Sequence, residues 1–139
     1  MSELLHATAV AIGERAVLIL GEPGAGKSDL ALRLIDRGAT LVSDDQVALS
    51  LEQGRLLAGA PATIAGKMEV RGVGIVPMSY VSPMPVALVI ELTPEPDRMP
   101  EPRRRSLAGV ELPAIALAPF EASAPIKAEM ALRQEGLAW

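Results

Sequence analysis

The chain has 139 residues, 13 basic and 17 acidic side chains for a net charge of −4, half of its residues hydrophobic, and no cysteine. That length suits one domain over 1–139, the acidic balance argues against nucleic acid as the partner, and the missing thiols exclude disulfides and Cys-based metal sites. The N-terminus lacks the charged start and apolar run of a signal peptide, and no stretch approaches the ~20 apolar residues of a membrane span, so a cytoplasmic protein without a membrane partner is expected.

In chain order, residues 4–12 read as one strand, followed by a tight turn at Gly13-Glu14 and a continuous apolar strand from Arg15 to Leu20. A glycine-rich loop comes next, then a helix from Lys27 to Arg37 with Leu30, Ala31, Leu34 and Ile35 at helical spacing and Gly38 as its C-terminal cap. Residues 39–43 read as a buried strand ending in Asp44-Asp45, and 46–57 as a hairpin turning at Gln53-Gly54. The glycine-spaced stretch 58–78 has the composition of a functional loop, and 86–90 that of a further strand. Four prolines and interspersed charges mark 93–105 as an exposed, mobile connection, extended to 108 as a Pro/Arg-rich linker. A short strand over 110–117, interrupted by Pro113, precedes a last helix from Ser123 as N-cap, with Pro125 in its first turn, to about Gln134, ended by Gly136. The aromatic residues are Tyr80, Phe120 and Trp139 alone, so the core must be aliphatic. The reading is α/β with a mixed sheet and few helices.

The segment Gly21-Glu22-Pro23-Gly24-Ala25-Gly26-Lys27-Ser28 matches the phosphate-binding pattern G-x-x-x-x-G-K-[ST] at every fixed position. Residue frequencies give this by chance in roughly one chain of this length in a few hundred. The strand before it and the helix after it are the setting the motif requires. Glycines let backbone N–H groups point at phosphate oxygens, Lys27 would reach the β/γ-phosphates, and the Ser28 hydroxyl would hold Mg²⁺. Such a loop needs a second acidic group, for Mg²⁺ or for the attacking hydroxyl, and Asp44 and Asp45 stand at a strand end suited to it. A turn-forming Asp pair is the plain alternative. His6, the single histidine, falls mid-strand in an apolar run, where a satisfied, partly buried side chain is the ordinary reading. In Met68-Glu-Val-Arg-Gly-Val-Gly-Ile75, Glu69 and Arg71 are candidates for a metal ligand and a phosphate clamp; a surface ion pair beside flexible glycines reads the same residues without chemistry. Arg103 to Arg105 read as a solvated charge run.

Together these segments resemble the catalytic domain of HPr kinase/phosphorylase. The resemblance rests on residues 21–28, on Leu41-Val-Ser-Asp-Asp45, and on Glu69-Val-Arg-Gly-Val-Gly-Ile75, which is similar to that family's Glu-(Ile/Val)-Arg-Gly-(Leu/Val)-Gly-Ile signature. His6 lies twenty-one residues before Lys27 and Asp45 eighteen after, as the family's catalytic histidine and aspartate do. The match covers residues 4 to 92 well and the remainder poorly.

The resemblance implies a fold related to phosphoenolpyruvate carboxykinases, in a compact form consisting of the catalytic domain only. It implies an ATP- and Mg²⁺-dependent kinase acting on a serine of the phosphocarrier protein HPr. Asp45 would be the proton acceptor and His6 its companion, with Lys27 and Arg71 as further catalytic residues; Gly21, Glu22, Pro23, Gly24, Ala25, Gly26, Lys27 and Ser28 would cradle the nucleotide, and Ser28, Asp44 and Glu69 would serve the metal. A homo-oligomer is implied too, hexameric in the family.

Three departures stand out. Asp29 replaces a common glutamate, residues 109–125 hold no counterpart of the family's Pro-Gly-Arg-Asn loop tied to dephosphorylation, and a further catalytic arginine has only Arg98 and Arg103 to Arg105 as candidates. Phosphorylase activity is accordingly expected to be weak or absent. A nucleotide-binding regulator of a phosphotransfer system that has lost catalysis is the alternative reading, and a small-molecule kinase a third, against which the 69–75 signature speaks.

Overall fold

A computed structural model describes residues 3–139. Among these residues there are two helices, a mixed sheet of nine strands and a separate two-stranded ribbon. The strands are β1 (Glu3–Leu5), β2 (Thr8–Ile12), β3 (Arg15–Leu20), β4 (Thr40–Ser43), β5 (Val47–Glu52), β6 (Arg55–Gly59), β7 (Lys67–Val70), β8 (Gly74–Pro77), β9 (Met84–Leu92), β10 (Arg103–Leu107) and β11 (Val110–Leu117); the helices are α1 (Lys27–Asp36) and α2 (Ala124–Glu135).

The main sheet runs β1-β5-β6-β9-β3-β2-β4, with β11 also joined to β9 and β10 to β11. Strands β3, β9 and β11 are parallel, while β2 is antiparallel to both β3 and β4. The C-terminal ends of β3, β4, β9 and β11 therefore emerge at one edge, together with the N-terminal end of β2. Ligands of open α/β sheets sit at such strand ends. Strand β4 packs on β6 although three strands separate them in the order, so the sheet curls.

Side-chain alternation sends successive residues of one strand to opposite faces. Val17 and Ile19 of β3 join Leu88 and Ile90 of β9 against Leu30 and Leu34 of α1 and Ala128 and Leu132 of α2. Ala16, Leu18 and Leu20 face the other way, onto Val47, Leu49, Leu56, Val89 and Leu112. Each fully buried Leu or Ile contributes about 1.5–3 kcal/mol, so both layers are needed to stabilise a core with no aromatic residue in it. Across α1 and α2, Arg37 donates to Glu129 at 2.8 and 3.0 Å, and that hydrogen bond, then the charge of Glu129, raises the Arg37 pKa.

Several elements differ from the sequence reading. Residues 4–12 are two strands, and His6 lies in the bend between them, not mid-strand. The stretch 58–78, expected as an irregular loop, contains the end of β6 and the β7–β8 ribbon, in which Met68 is buried while Glu69 faces out; glycines that suggested irregularity serve the ribbon's turn.

The expected mobile connection ends early: Arg103–Leu107 is strand β10, registered on β11 from Arg103↔Ala114 to Leu107↔Val110. Arg103 and Arg105, on one face of it, both pair with Glu91 of β9, the latter at 2.6 Å, so the arginine run is a strand anchored by one carboxylate. Its turn, Ala108-Gly109, places both residues at positive φ, the geometry of a two-residue hairpin, but with Ala where Asn or Asp would have signalled it. Strand β11 continues through Pro113, which lies upstream of the pairing with β9 that begins at Ala114, so its missing N–H costs that ladder nothing.

Candidate functional site

The loop 21–26 leaves the end of β3 and enters α1 with Gly26 as N-cap, at φ +105°. Glycine is required there twice over. That φ is open to few other residues, and a Cβ would lie 2.9 Å from Cζ of Phe120. Lys27, only 7% exposed, folds its ammonium back over the loop and donates to the carbonyls of Gly21 at 2.8 Å and Glu22 at 3.1 Å. Loop and amine thus form one hydrogen-bonded unit, with the charge held at the mouth of the glycine loop.

Asp44 follows β4 and is 6% exposed. Its Oδ1 accepts from the Ser28 hydroxyl at 2.5 Å and from the Thr8 hydroxyl at 3.1 Å, and its Oδ2 accepts from the Glu69 backbone N–H at 3.2 Å. Among the described residues no Lys, Arg or His lies within ion-pair distance of it. A buried carboxylate held by neutral donors alone is short of positive charge, and desolvated carboxylates are costly without it. Ser28 and Asp44 thus present a hydroxyl and a carboxylate at the helix end, which is the oxygen set Mg²⁺ takes when nucleotide phosphates complete its shell. Among the described residues no three His, Asp or Glu side chains cluster into a cage of their own.

Asp45 stands in the left-handed region at φ +71°. Such a backbone costs of order 1–3 kcal/mol for a non-glycine residue and is held by its surroundings. Here the Asp45 N–H donates to Thr8 Oγ1 at 3.3 Å, Gln46 N–H donates to the Asp44 carbonyl at 2.8 Å, and the Ser43 hydroxyl donates to the Gln46 carbonyl at 2.5 Å. The pairing of β2 with β4 shifts register between Ala9 and Val10, just beside this corner. Bulges of this kind re-aim chains next to functional sites. The outcome is two adjacent aspartates facing different ways: Asp44 inward to Ser28, and Asp45 out to solvent, 3.6 Å from His6 Nε2. At that separation the two exposed groups are neighbours and not hydrogen-bonded partners.

Sequence reasoning therefore named His6, Lys27, Ser28, Asp44 and Asp45, and the fold brings all five to one strand-end edge. Glu69 reaches it through its backbone N–H, while its side chain is exposed. Arg71 lies in the β7–β8 turn, exposed, with no hydrogen bond or ion pair among the described residues. Arg103 and Arg105, raised as stand-ins for a missing arginine, are occupied by Glu91.

Two residues escaped the sequence reading. Thr8, fully buried, is the hinge between the two aspartates, donating to one and accepting from the other. A buried threonine in an aliphatic strand was its only signal. Phe120, 70% exposed yet pressed against Gly26, was legible only as the single phenylalanine of the chain.

The chain can be placed among known proteins. The family model for the HPr Serine kinase C-terminal domain matches residues 1–93. HPr kinase/phosphorylase of Clostridium botulinum (strain Eklund 17B / Type B) is 41% identical over 77 residues, 55% of this chain and 25% of that protein. That of Limosilactobacillus reuteri (strain DSM 20016) is 42% identical over 76 residues, 54% of this chain and 24% of that protein. The chain thus spans about a quarter of the length of the curated relatives it matches. The solved HPr(Ser) kinase/phosphatase from Coxiella burnetii superposes with a TM-score of 0.82 at 31% identity, covering 94% of each chain. The curled mixed sheet and its two helices are that protein's fold, and the chain belongs to the family of the HPr serine kinase C-terminal domain.

Proposed function

We propose that the chain is an ATP-dependent protein kinase that phosphorylates a serine of the phosphocarrier protein HPr. The observation that carries the reading is the pair of aspartates at the end of β4, one buried against Ser28 and one exposed beside His6. Adjacent in sequence, they are set by Thr8 to different tasks.

The loop amides and Lys27 bind the triphosphate, with the Lys27 ammonium exchanging its carbonyl partners for phosphate oxygens and offsetting charge that develops in transfer. Ser28 and Asp44 would hold Mg²⁺, which supplies charge neutralisation on the phosphates. Asp45, open to solvent on the flank where an acceptor protein can approach, takes the proton from the acceptor serine. The serine oxygen bonds to the γ-phosphorus, the bond from that phosphorus to the bridging oxygen breaks, and ADP leaves. His6 stands beside Asp45, 3.6 Å from its carboxylate, as the companion group on the same flank. Residues 109–125 form β11 and the approach to α2.

Asp45→Asn tests this directly. The substitution keeps the shape and removes the proton acceptor, so phosphoryl transfer to HPr should be lost while ATP binding, measured by calorimetry, stays within twofold. Transfer at the wild-type rate would remove Asp45 from the mechanism.

A further inference from the structure

On the flank of the glycine loop away from the aspartates, a cavity of about 440 Å³ opens between the ends of β9 and β11. Its apolar walls are Ala25 of the loop, Leu92 at the end of β9, Pro94 beyond it, and Pro119 and Phe120 after β11, with Thr93 and Glu121 as polar lining residues. The lining is mostly apolar, and the volume lies within the range of small-ligand sites. We infer that this cavity is the subsite for a purine base, with the Phe120 ring as its stacking face. The inference rests on the nucleotide reading above and adds to it where the base goes and which residue holds it.

The strand order makes the argument. Strand β3 feeds the phosphate loop; β2 and β4, on one side of it, deliver Thr8, Asp44 and Asp45, whereas β9 and β11 lie on the other side. A triphosphate whose terminal group faces the aspartates must extend its sugar and base toward the opposite flank. There it meets the cavity, which begins at Ala25.

Phe120 is out of keeping with the rest of the chain. It is the only phenylalanine, 70% of it is exposed, and one ring edge touches Gly26, leaving the remainder to solvent. An uncovered ring at this place is apolar area available for a flat partner.

The loop carrying Phe120 is held in position. Arg33 of α1 donates to the carbonyls of Pro119 and Glu121, the latter at 3.1 Å, and is itself oriented by Asp29 at 3.0 Å. Lys127 pairs with the Glu121 side chain at 2.8 Å. A wall fixed before the ligand arrives loses less entropy on binding. Asp29 and Arg33 thus connect the helix that follows the phosphate loop to the wall of the cavity.

Calorimetric titration with ATP, CTP and inorganic tripolyphosphate tests the inference on the wild type, Phe120→Ala and Phe120→Trp. Base–aromatic stacking of about 1–3 kcal/mol corresponds to a loss of roughly 5- to 150-fold in ATP affinity for Phe120→Ala. Tripolyphosphate, which has no base, should bind both proteins equally, Phe120→Trp should bind ATP within threefold of wild type, and CTP should bind wild type more weakly than ATP. Equal ATP affinity in Phe120→Ala and wild type overturns the subsite. So does parallel loss of ATP and tripolyphosphate in Phe120→Ala, which would make the ring a prop for the glycine loop. Wild type binding tripolyphosphate as tightly as ATP rejects the base subsite and leaves the phosphate loop intact. Binding of neither ligand would sink the nucleotide reading itself, and the inference with it.

Discussion

Replacing Thr8 by valine removes one hydroxyl and almost nothing else. The side chain is fully buried, its oxygen donates to Asp44 Oδ1 at 3.1 Å and accepts from the Asp45 N–H at 3.3 Å, and valine fills nearly the same space. Asp44 would keep Ser28 and the Glu69 N–H, while the Asp45 N–H would lose its acceptor. A polar group left unsatisfied at such a site costs about 1–3 kcal/mol. With a urea m-value of about 2 kcal/mol/M, the midpoint of unfolding should fall by about 0.5–1.5 M. The left-handed backbone at Asp45 then loses a restraint, so transfer to HPr should fall as well. Urea titration by circular dichroism reads the first effect and a transfer assay the second. Thr8→Ser keeps the hydroxyl and should recover most transfer even though it loses a buried methyl. A Thr8→Val protein with unchanged midpoint and unchanged transfer would refute the role of this hydroxyl as the hinge between the aspartates.

Other expectations follow from the same geometry. Gly26→Ala should lower stability by about 1–2 kcal/mol from the backbone alone, and, because its Cβ would sit 2.9 Å from Phe120, affinity for ATP and tripolyphosphate should fall together in calorimetry. Glu91→Ala frees Arg103 and Arg105, both substantially exposed; global stability should change by less than about 1 kcal/mol, yet trypsin should cut the 103–105 segment faster, and an unchanged cleavage rate would show that β10 is not held by these pairs. Asp44→Asn should raise the Mg²⁺ concentration for half-maximal transfer about 10–100-fold, and chelation of Mg²⁺ should abolish transfer in the wild type; no change in Mg²⁺ dependence would separate Asp44 from the metal.

The central part of the chain was legible because its signals are local. A strand, a glycine loop and a helix were readable from residues 15–37, and the hairpin at Gln53-Gly54 formed as its turn residues require, both at positive φ. What the sequence hid were features decided by tertiary partners. Strand β10 read as a solvated linker because its three arginines gave no apolar alternation; the register on β11 and the carboxylate of Glu91 make it a strand. The β7–β8 ribbon was masked by its glycines, and the break at His6 by an unbroken run of strand formers. The catalytic candidates at fixed distance from Lys27 could be named in advance. Thr8 could not, since its importance lies in a bulged strand pairing with residues thirty-six and thirty-seven positions away. Phe120 was invisible for a similar reason: an exposed aromatic acquires meaning only once β11 sets it against Gly26.

The most direct test of the account is the mass of HPr after incubation with this chain and Mg·ATP, with peptide mapping of the product. The account predicts one added phosphoryl group, on a serine, formed by the wild type and absent with Asp45→Asn. Unmodified HPr beside a wild-type protein that binds ATP normally would contradict it and return the chain to the class of nucleotide-binding regulators.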